Sequence, residues 1–229
     1  MLKDMKTLIL VFAVLSALMP VITQRTGLSE RYGFKMKMLC ALMYLITGAL
    51  SAFFAGASVY TLMILGALVS GALGDFFLSY RNEKYFFFGV VFFALGHIVY
   101  SLTFLFAGNY KALPYIGALA VSAVVITAAV IAFAGAKLVL KGRKNLLLIY
   151  VPVLVSSFVC AVAGGVIAVE CGNMSYGLCV ISGGTLFLVS DIMIGIGKGG
   201  IKRPAFMHNA VSYTYFTAQT LFALSIYFQ

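Results

Sequence analysis

This sequence has little charge. Only 10% of its 229 residues are Asp, Glu, Lys or Arg, six of them acids, whereas 63% are hydrophobic and the mean hydropathy is +1.08. That balance excludes a soluble globular domain. Histidine is scarcer still, with two residues, His97 and His208. A zinc site built from roughly three or four His, Asp or Cys ligands is therefore short of donors. Neither a Gly-x-Ser-x-Gly elbow nor a clear Ser-His-acid set is present to attack a carbonyl. The strict two-residue alternation of a lipid-facing barrel is missing. So is any long linker, low-complexity tract or polar stretch that could form a separate domain.

What the chain does have is a succession of apolar runs, each close to the roughly 20 residues that cross about 30 Å of hydrocarbon. They lie at approximately 5–24, 37–56, 59–79, 85–107, 112–134, 145–168, 174–197 and 205–228. Together they predict an all-α, polytopic membrane protein with eight transmembrane helices in a single domain, 1–229. The first run follows Lys3 and Lys6 as a signal peptide would, but it ends in Pro20, Thr23 and Gln24 rather than a small-residue cleavage site. It is read as the first span.

The formal charge of +10 acquires meaning once the cations are assigned to alternate sides of eight spans. Arg25, Arg31, Lys35, Lys37, Arg81, Lys84, Lys137, Lys141, Arg143, Lys144, Lys198, Lys202 and Arg203 fall on one side, and Lys3, Lys6 and Lys111 on the other. Thirteen against three is a strong positive-inside bias. It predicts a cytoplasmic location for the first, third, fifth and seventh loops, with both termini on the non-cytoplasmic side. The basic balance thus encodes orientation and points to no nucleic-acid partner. Of four cysteines, Cys40 and Cys160 sit within apolar runs, while Cys171 and Cys179 flank the outward loop where a disulfide could form.

Two acids lie inside spans, and an ionisable residue there is by default a functional candidate with a partner to be found. Asp75, in GALGDFFL, is about 6 Å deep from the inner end of the third run, at about 1.5 Å per residue. Asp191, in FLVSDIMI, is about 10 Å deep from the inner end of the seventh by the same rise. Both fall in the cytoplasmic half, four spans apart in similar surroundings, which suggests a parallel 4+4 repeat. Other polar residues occur at neighbouring depth. Lys37 opens the second run, His97 and Tyr100 share a face of the fourth, and Asn209, Tyr213, Tyr215 and Gln219 interrupt the eighth. They describe a pocket reached from the cytoplasmic side. Blander roles exist for each type: an aspartate can pair with an interfacial lysine, a histidine can bond to another helix, and a tyrosine can anchor at the interface. The GKGG at 197–200 lacks the strand and glycine spacing of a phosphate loop and reads as a turn.

The segments GDFFL (74–78), FFFGVVFFALGHIVYSLTF (86–104), GGTLFLVSDIMIGIGK (183–198) and YTYFTAQTLFALS (213–225) resemble, in order and spacing, the YhhN-like lysoplasmalogenase family of eight-helix membrane proteins. The first, second, fifth and sixth runs match in hydropathy alone. The resemblance implies hydrolysis of the vinyl ether of lysoplasmalogens to a fatty aldehyde and glycerophosphoethanolamine or glycerophosphocholine. It places the family's two acids on Asp75 and Asp191, its His and Tyr of the fourth helix on His97 and Tyr100, and its Tyr and Gln of the eighth on Tyr215 and Gln219. It also implies a lysine near the start of the second helix. Here that segment reads FKMKML without a Lys-Pro, so Lys35 stands beside Lys37 as a candidate.

The residue types suit that chemistry. Vinyl ether cleavage needs a proton donor for the β-carbon, a base for water, and negative charge beside an oxocarbenium ion. Two carboxylates in different environments can divide these tasks, as in glycoside hydrolysis. Asp191 is slightly favoured as acid and Asp75 as base or stabilising anion. His97, Tyr215 and Gln219 would orient water, ether oxygen or glycerol, and Lys37 with the basic loops would receive the phosphate. The expected partner is a lysophospholipid in the membrane, and no cofactor or metal is implied. Two alternatives stay open: a proton- or cation-coupled transporter, for which paired intramembrane acids are also suited, and a zinc-dependent membrane lipid hydrolase.

Overall fold

The computed structural model of the protein describes residues 2–80, 82–107, 144–198 and 204–229, and among these every regular element is an α-helix. There are seven: α1 (Leu2–Arg25), α2 (Leu28–Ala55), α3 (Val59–Leu78), α4 (Glu83–Ala107), α5 (Lys144–Glu170), α6 (Met174–Lys198) and α7 (Ala205–Phe228). They correspond to the first four and last three expected spans. The fifth, 112–134, lies outside the described residues, and so do Lys111, Lys137, Lys141 and the Lys202–Arg203 pair.

Six segments of these helices are long and apolar enough to cross a membrane: Lys6–Arg25, Gly33–Ala55, Val59–Leu78, Lys84–Phe106, Tyr150–Glu170 and Met174–Ile196. This is the architecture of a multi-pass membrane protein. α7 is not among them, because Thr214, Tyr215, Thr217, Gln219 and Thr220 dilute its apolar content. α2 departs from expectation at its start. It begins at Leu28 rather than at 37, so the basic stretch ahead of the apolar run is already helical and Lys37 lies well inside the helix.

Local chemistry sets the corners. At Gly56 the backbone adopts φ 84°, a left-handed value that a side chain resists, and Ser58 Oγ then accepts the Thr61 N–H at 3.0 Å to open α3. At the α5–α6 corner Gly172 has φ 89°. Asn173 beside it accepts the Tyr176 N–H at 3.3 Å and donates from Nδ2 to the Phe228 carbonyl at 2.8 Å, tying the corner to the end of α7. The four cysteines are unpaired. Cys171 is exposed in this corner while Cys179 points into the bundle, so the outward-loop disulfide is not formed.

Neighbours in sequence pack as neighbours in space, and α4 packs on α5. α4 and α5 run parallel, since Gly164 meets Phe104 and Tyr150 meets His97. α7 is the central element, touching α1, α2, α3 and α6. In lipid, association depends on close packing and interhelical hydrogen bonds rather than on hydrophobic burial. Both are visible. A Cβ on Gly165 would stand 2.9 Å from the Gly177 carbonyl, so α5 and α6 cross where neither has a side chain. Ser16 bonds Thr220 at 2.6 Å and Tyr60 bonds Ser225 at 2.6 Å, fastening α1 and α3 to α7.

Candidate active site

The two aspartates are at the same end of the bundle, where α3 and α6 finish and α2, α4, α5 and α7 begin. Asp75 lies one turn from the end of α3, its side chain 3% exposed. The Lys37 ammonium reaches it from α2, with Nζ 2.9 Å from Oδ1 and 3.5 Å from the Asp75 carbonyl oxygen. That carbonyl also accepts the Ser79 hydroxyl at 2.7 Å. Lys37 spans the gap because its stem can lie along apolar surface while its charged head reaches a polar partner. The other carboxylate oxygen, Oδ2, is buried and has no hydrogen-bond partner among the described residues. The Tyr215 and Tyr44 hydroxyls are near enough to interact with this carboxylate electrostatically.

Asp191 has a different environment. Its side chain is 6% exposed. Tyr150, from α5, donates its hydroxyl to Oδ2. His97 Nε2, from α4, lies 3.3 Å from the same oxygen and 3.3 Å from the Tyr150 hydroxyl. Among the described residues no lysine or arginine pairs with Asp191, and its partners are the Tyr150 hydroxyl and the His97 imidazole. His97 Nδ1 is buried without a partner among those residues. The two carboxylates are close enough for their charges to interact.

Beneath them runs a buried chain of polar groups. Tyr100 donates to Gln219 Oε1 at 2.6 Å, and Gln219 Nε2 donates to the Tyr215 hydroxyl at 3.1 Å. Both ends of the Gln219 amide are thus fixed, in a residue that is 0% exposed. Phe187 fills the space between the two groups, its ring 4.5 Å from His97 and 5.4 Å from Tyr215. The glycines of GALGD make room for this arrangement. A Cβ on Gly71 would overlap Gln219 Nε2 and stand 3.2 Å from the Tyr215 hydroxyl, and one on Gly74 would stand 2.7 Å from the Phe93 ring. The small residues thus bring α7 and α4 close to Asp75.

Asp75, Lys37, Asp191, His97, Tyr100, Tyr215 and Gln219 are therefore gathered into two contiguous groups. Asn209 and Tyr213 are not. Asn209 is exposed, Tyr213 is half-buried, and among the described residues neither side chain makes a hydrogen bond. Lys35 is exposed at the same end. Sequence reasoning missed Tyr150. Its signal was depth: it stands six residues inside α5 from Lys144, as Asp191 stands seven inside α6 from Lys198. Among the described residues no three of His, Cys, Asp and Glu converge as metal ligands.

No curated protein and no solved structure matches the chain significantly. The model of the YhhN family does, over residues 30–226. That stretch runs from α2 to α7 and takes in both aspartates with every partner described above, and the chain belongs to the YhhN family.

Proposed function

We propose that the protein is a membrane hydrolase that cleaves the vinyl ether of lysoplasmalogens, releasing a fatty aldehyde and a glycerophosphoethanolamine or glycerophosphocholine. Family membership supports a hydrolase of this type. The observation that carries the reading is the contrast between the two carboxylates. One is matched by an ammonium at 2.9 Å, and the other is held by a tyrosine and a histidine, within electrostatic reach of the first. Two acids in unlike surroundings are what a general acid and its partner anion require.

In this reading Asp191 protonates the β-carbon of the double bond. The π pair forms the new C–H bond and the ether oxygen shares the resulting cation at the α-carbon. Asp75, its charge compensated by Lys37, faces that oxocarbenium ion and takes a proton from water as the water attacks. Its free Oδ2 and the neighbouring Tyr215 hydroxyl offer the water an acceptor and a donor. The hemiacetal then collapses: Asp75 gives the proton it took from water to the leaving glycerol oxygen as the C–O bond breaks, and Asp191 takes the hydroxyl proton, so aldehyde and alcohol are released and both carboxyl groups return to their starting states. The Tyr100–Gln219–Tyr215 chain keeps the Tyr215 hydroxyl in place. Lys35 and the other cations at this end attract the phosphate headgroup. No metal or cofactor enters the scheme. The run 112–134 would complete eight crossings, and the positive-inside bias supports a site in the cytoplasmic half with both termini outside.

The test is to incubate the purified protein in detergent with 1-alkenyl, 1-alkyl and 1-acyl lysolipids of equal chain length, following aldehyde and glycerophospho-base release. The alkenyl lipid alone should be cleaved, and the saturated ether should inhibit competitively. Equal rates on acyl and alkenyl lipids would replace vinyl ether protonation with acyl transfer. No turnover of any lipid, together with ion uptake by vesicles containing the protein, would favour a transporter.

A further inference from the structure

The scheme so far gives α5 no part, although α5 sends one polar side chain into the site. The Tyr150 hydroxyl donates to Asp191 Oδ2, and His97 Nε2 faces the same oxygen from α4 at 3.3 Å. Tyr150 and His97 also face each other at 3.3 Å. A phenol has one proton to donate, and here it goes to the carboxylate. The imidazole N–H can then donate to Oδ2 or to the phenol oxygen. In either arrangement Oδ2 is occupied, and no described residue donates to Oδ1. The trio cannot easily turn, because the His97 ring is packed against Phe187 at 4.5 Å and against Tyr150 at 5.7 Å.

The geometry points to Tyr150 as a positioning residue of Asp191, one whose hydroxyl anchors Oδ2 and leaves Oδ1 to deliver the proton to the substrate. This rests on the assignment of Asp191 as the acid. In the step itself the proton leaves Oδ1, the carbon–carbon π pair becomes the new C–H bond, and the O–H pair stays on Asp191 as carboxylate. That carboxylate appears where no lysine or arginine pairs with it among the described residues. Tyr150 and His97 are the groups that meet the new charge, and hydrogen bonds to an ionised partner are the stronger kind. Tyr150 does not touch the lipid in this scheme, so its removal should slow chemistry and spare binding.

The experiment compares wild type, Tyr150→Phe, Asp191→Asn, Asp75→Asn, and the Tyr150→Phe change in each aspartate background. Kinetics use the 1-alkenyl lysolipid, and inhibition uses the saturated 1-alkyl lysolipid. Tyr150→Phe should lose about 10- to 100-fold in kcat, the range for a hydrogen bond to a charged group. KM and the inhibition constant of the alkyl lipid should stay within about twofold, because only transition-state interactions are lost. Added to Asp191→Asn, the same change should cost no more than about twofold further, whereas added to Asp75→Asn it should cost nearly its full effect. Wild-type kcat in Tyr150→Phe, or an undiminished effect in the Asp191→Asn background, would overturn the inference while leaving Asp191 as acid. So would an inhibition constant that rises as far as kcat falls, which would make Tyr150 a binding residue. Near-normal turnover by Asp191→Asn itself would overturn the underlying assignment and this inference with it.

Discussion

Gly71→Ala adds one methyl group at the most crowded point beside Asp75, and the structure fixes both the sign and the size of the response. The new Cβ would overlap Gln219 Nε2 and stand 3.2 Å from the Tyr215 hydroxyl. An amide at the end of a free side chain would swing aside. Gln219 cannot do so without loss, since its oxygen is held by Tyr100 at 2.6 Å and its nitrogen by Tyr215 at 3.1 Å. Overpacking of this kind costs about 1–3 kcal/mol, and a buried polar group left unpaired costs a similar amount. Taking about 2 kcal/mol, and about 2–4 °C of melting temperature per kcal/mol at this chain length, the fall should be roughly 4–8 °C. Gly66→Ala on the same helix is the control. Nothing lies within 4 Å of a Cβ there, so the change should stabilise, by up to about 1 kcal/mol of helix preference. Melting can be followed with a thiol-reactive dye in a Cys171→Ser background, because Cys40, Cys160 and Cys179 are buried and react only on unfolding. A Gly71→Ala protein that melts at or above the Gly66→Ala protein would refute the packing argument.

Asp75→Asn and Asp191→Asn should each insert normally and lose at least about 100-fold in turnover, the lower range for deleting a general acid or base; near-normal activity in either would make that aspartate structural. Lys37→Arg keeps a cation beside Asp75 and should retain most activity, whereas Lys37→Met should lose at least about tenfold, the scale of a hydrogen bond to a charged group; kcat measured for the pair decides it. Sidedness can be read from the exposed Cys171 at the end opposite Asp75. An impermeant maleimide should label it in intact cells but not in Cys171→Ser, and labelling only after permeabilisation would invert the proposed topology.

The two aspartates could be read from the sequence because a carboxylate in an apolar run has so few bland explanations. Their placement at one end followed from counting residues to the nearest cations. Lys37 and Gln219 could be read for the same reason, but their partners could not. Nothing in the spacing says that Gln219 bridges Tyr100 to Tyr215, since that depends on how α4 and α7 rotate against each other. Tyr150 was hidden by its residue type: a tyrosine about two turns from a helix end is the usual form of an interfacial anchor. It took the crossing of α5 with α4 and α6 to show that its hydroxyl points inward. Asn209 and Tyr213 mark the opposite case. They are polar residues at suitable depth that stay exposed or half-buried and make no side-chain hydrogen bond among the described residues. The start of α2 escaped because hydropathy reports the apolar length of a helix, and this one extends past its apolar part.

The polarity of α7 bears on how the protein is made. The other six helices each contain a stretch long and apolar enough to cross a membrane, and α7 does not. It follows them in the chain, and its buried polar side chains find partners on α1, α3 and α4. Its insertion is therefore expected to be an act of assembly, in which a cradle of earlier helices receives α7. Ser16, Tyr60 and Tyr100 would wait for it with unmet hydrogen-bonding groups. A chain stalled before α7 would hold an open polar seam in the bilayer, the kind of lesion membrane quality control removes. Substitutions at Thr220 or Ser225, far from the acids, should then reduce the amount of protein in the membrane while the molecules that do assemble keep their activity.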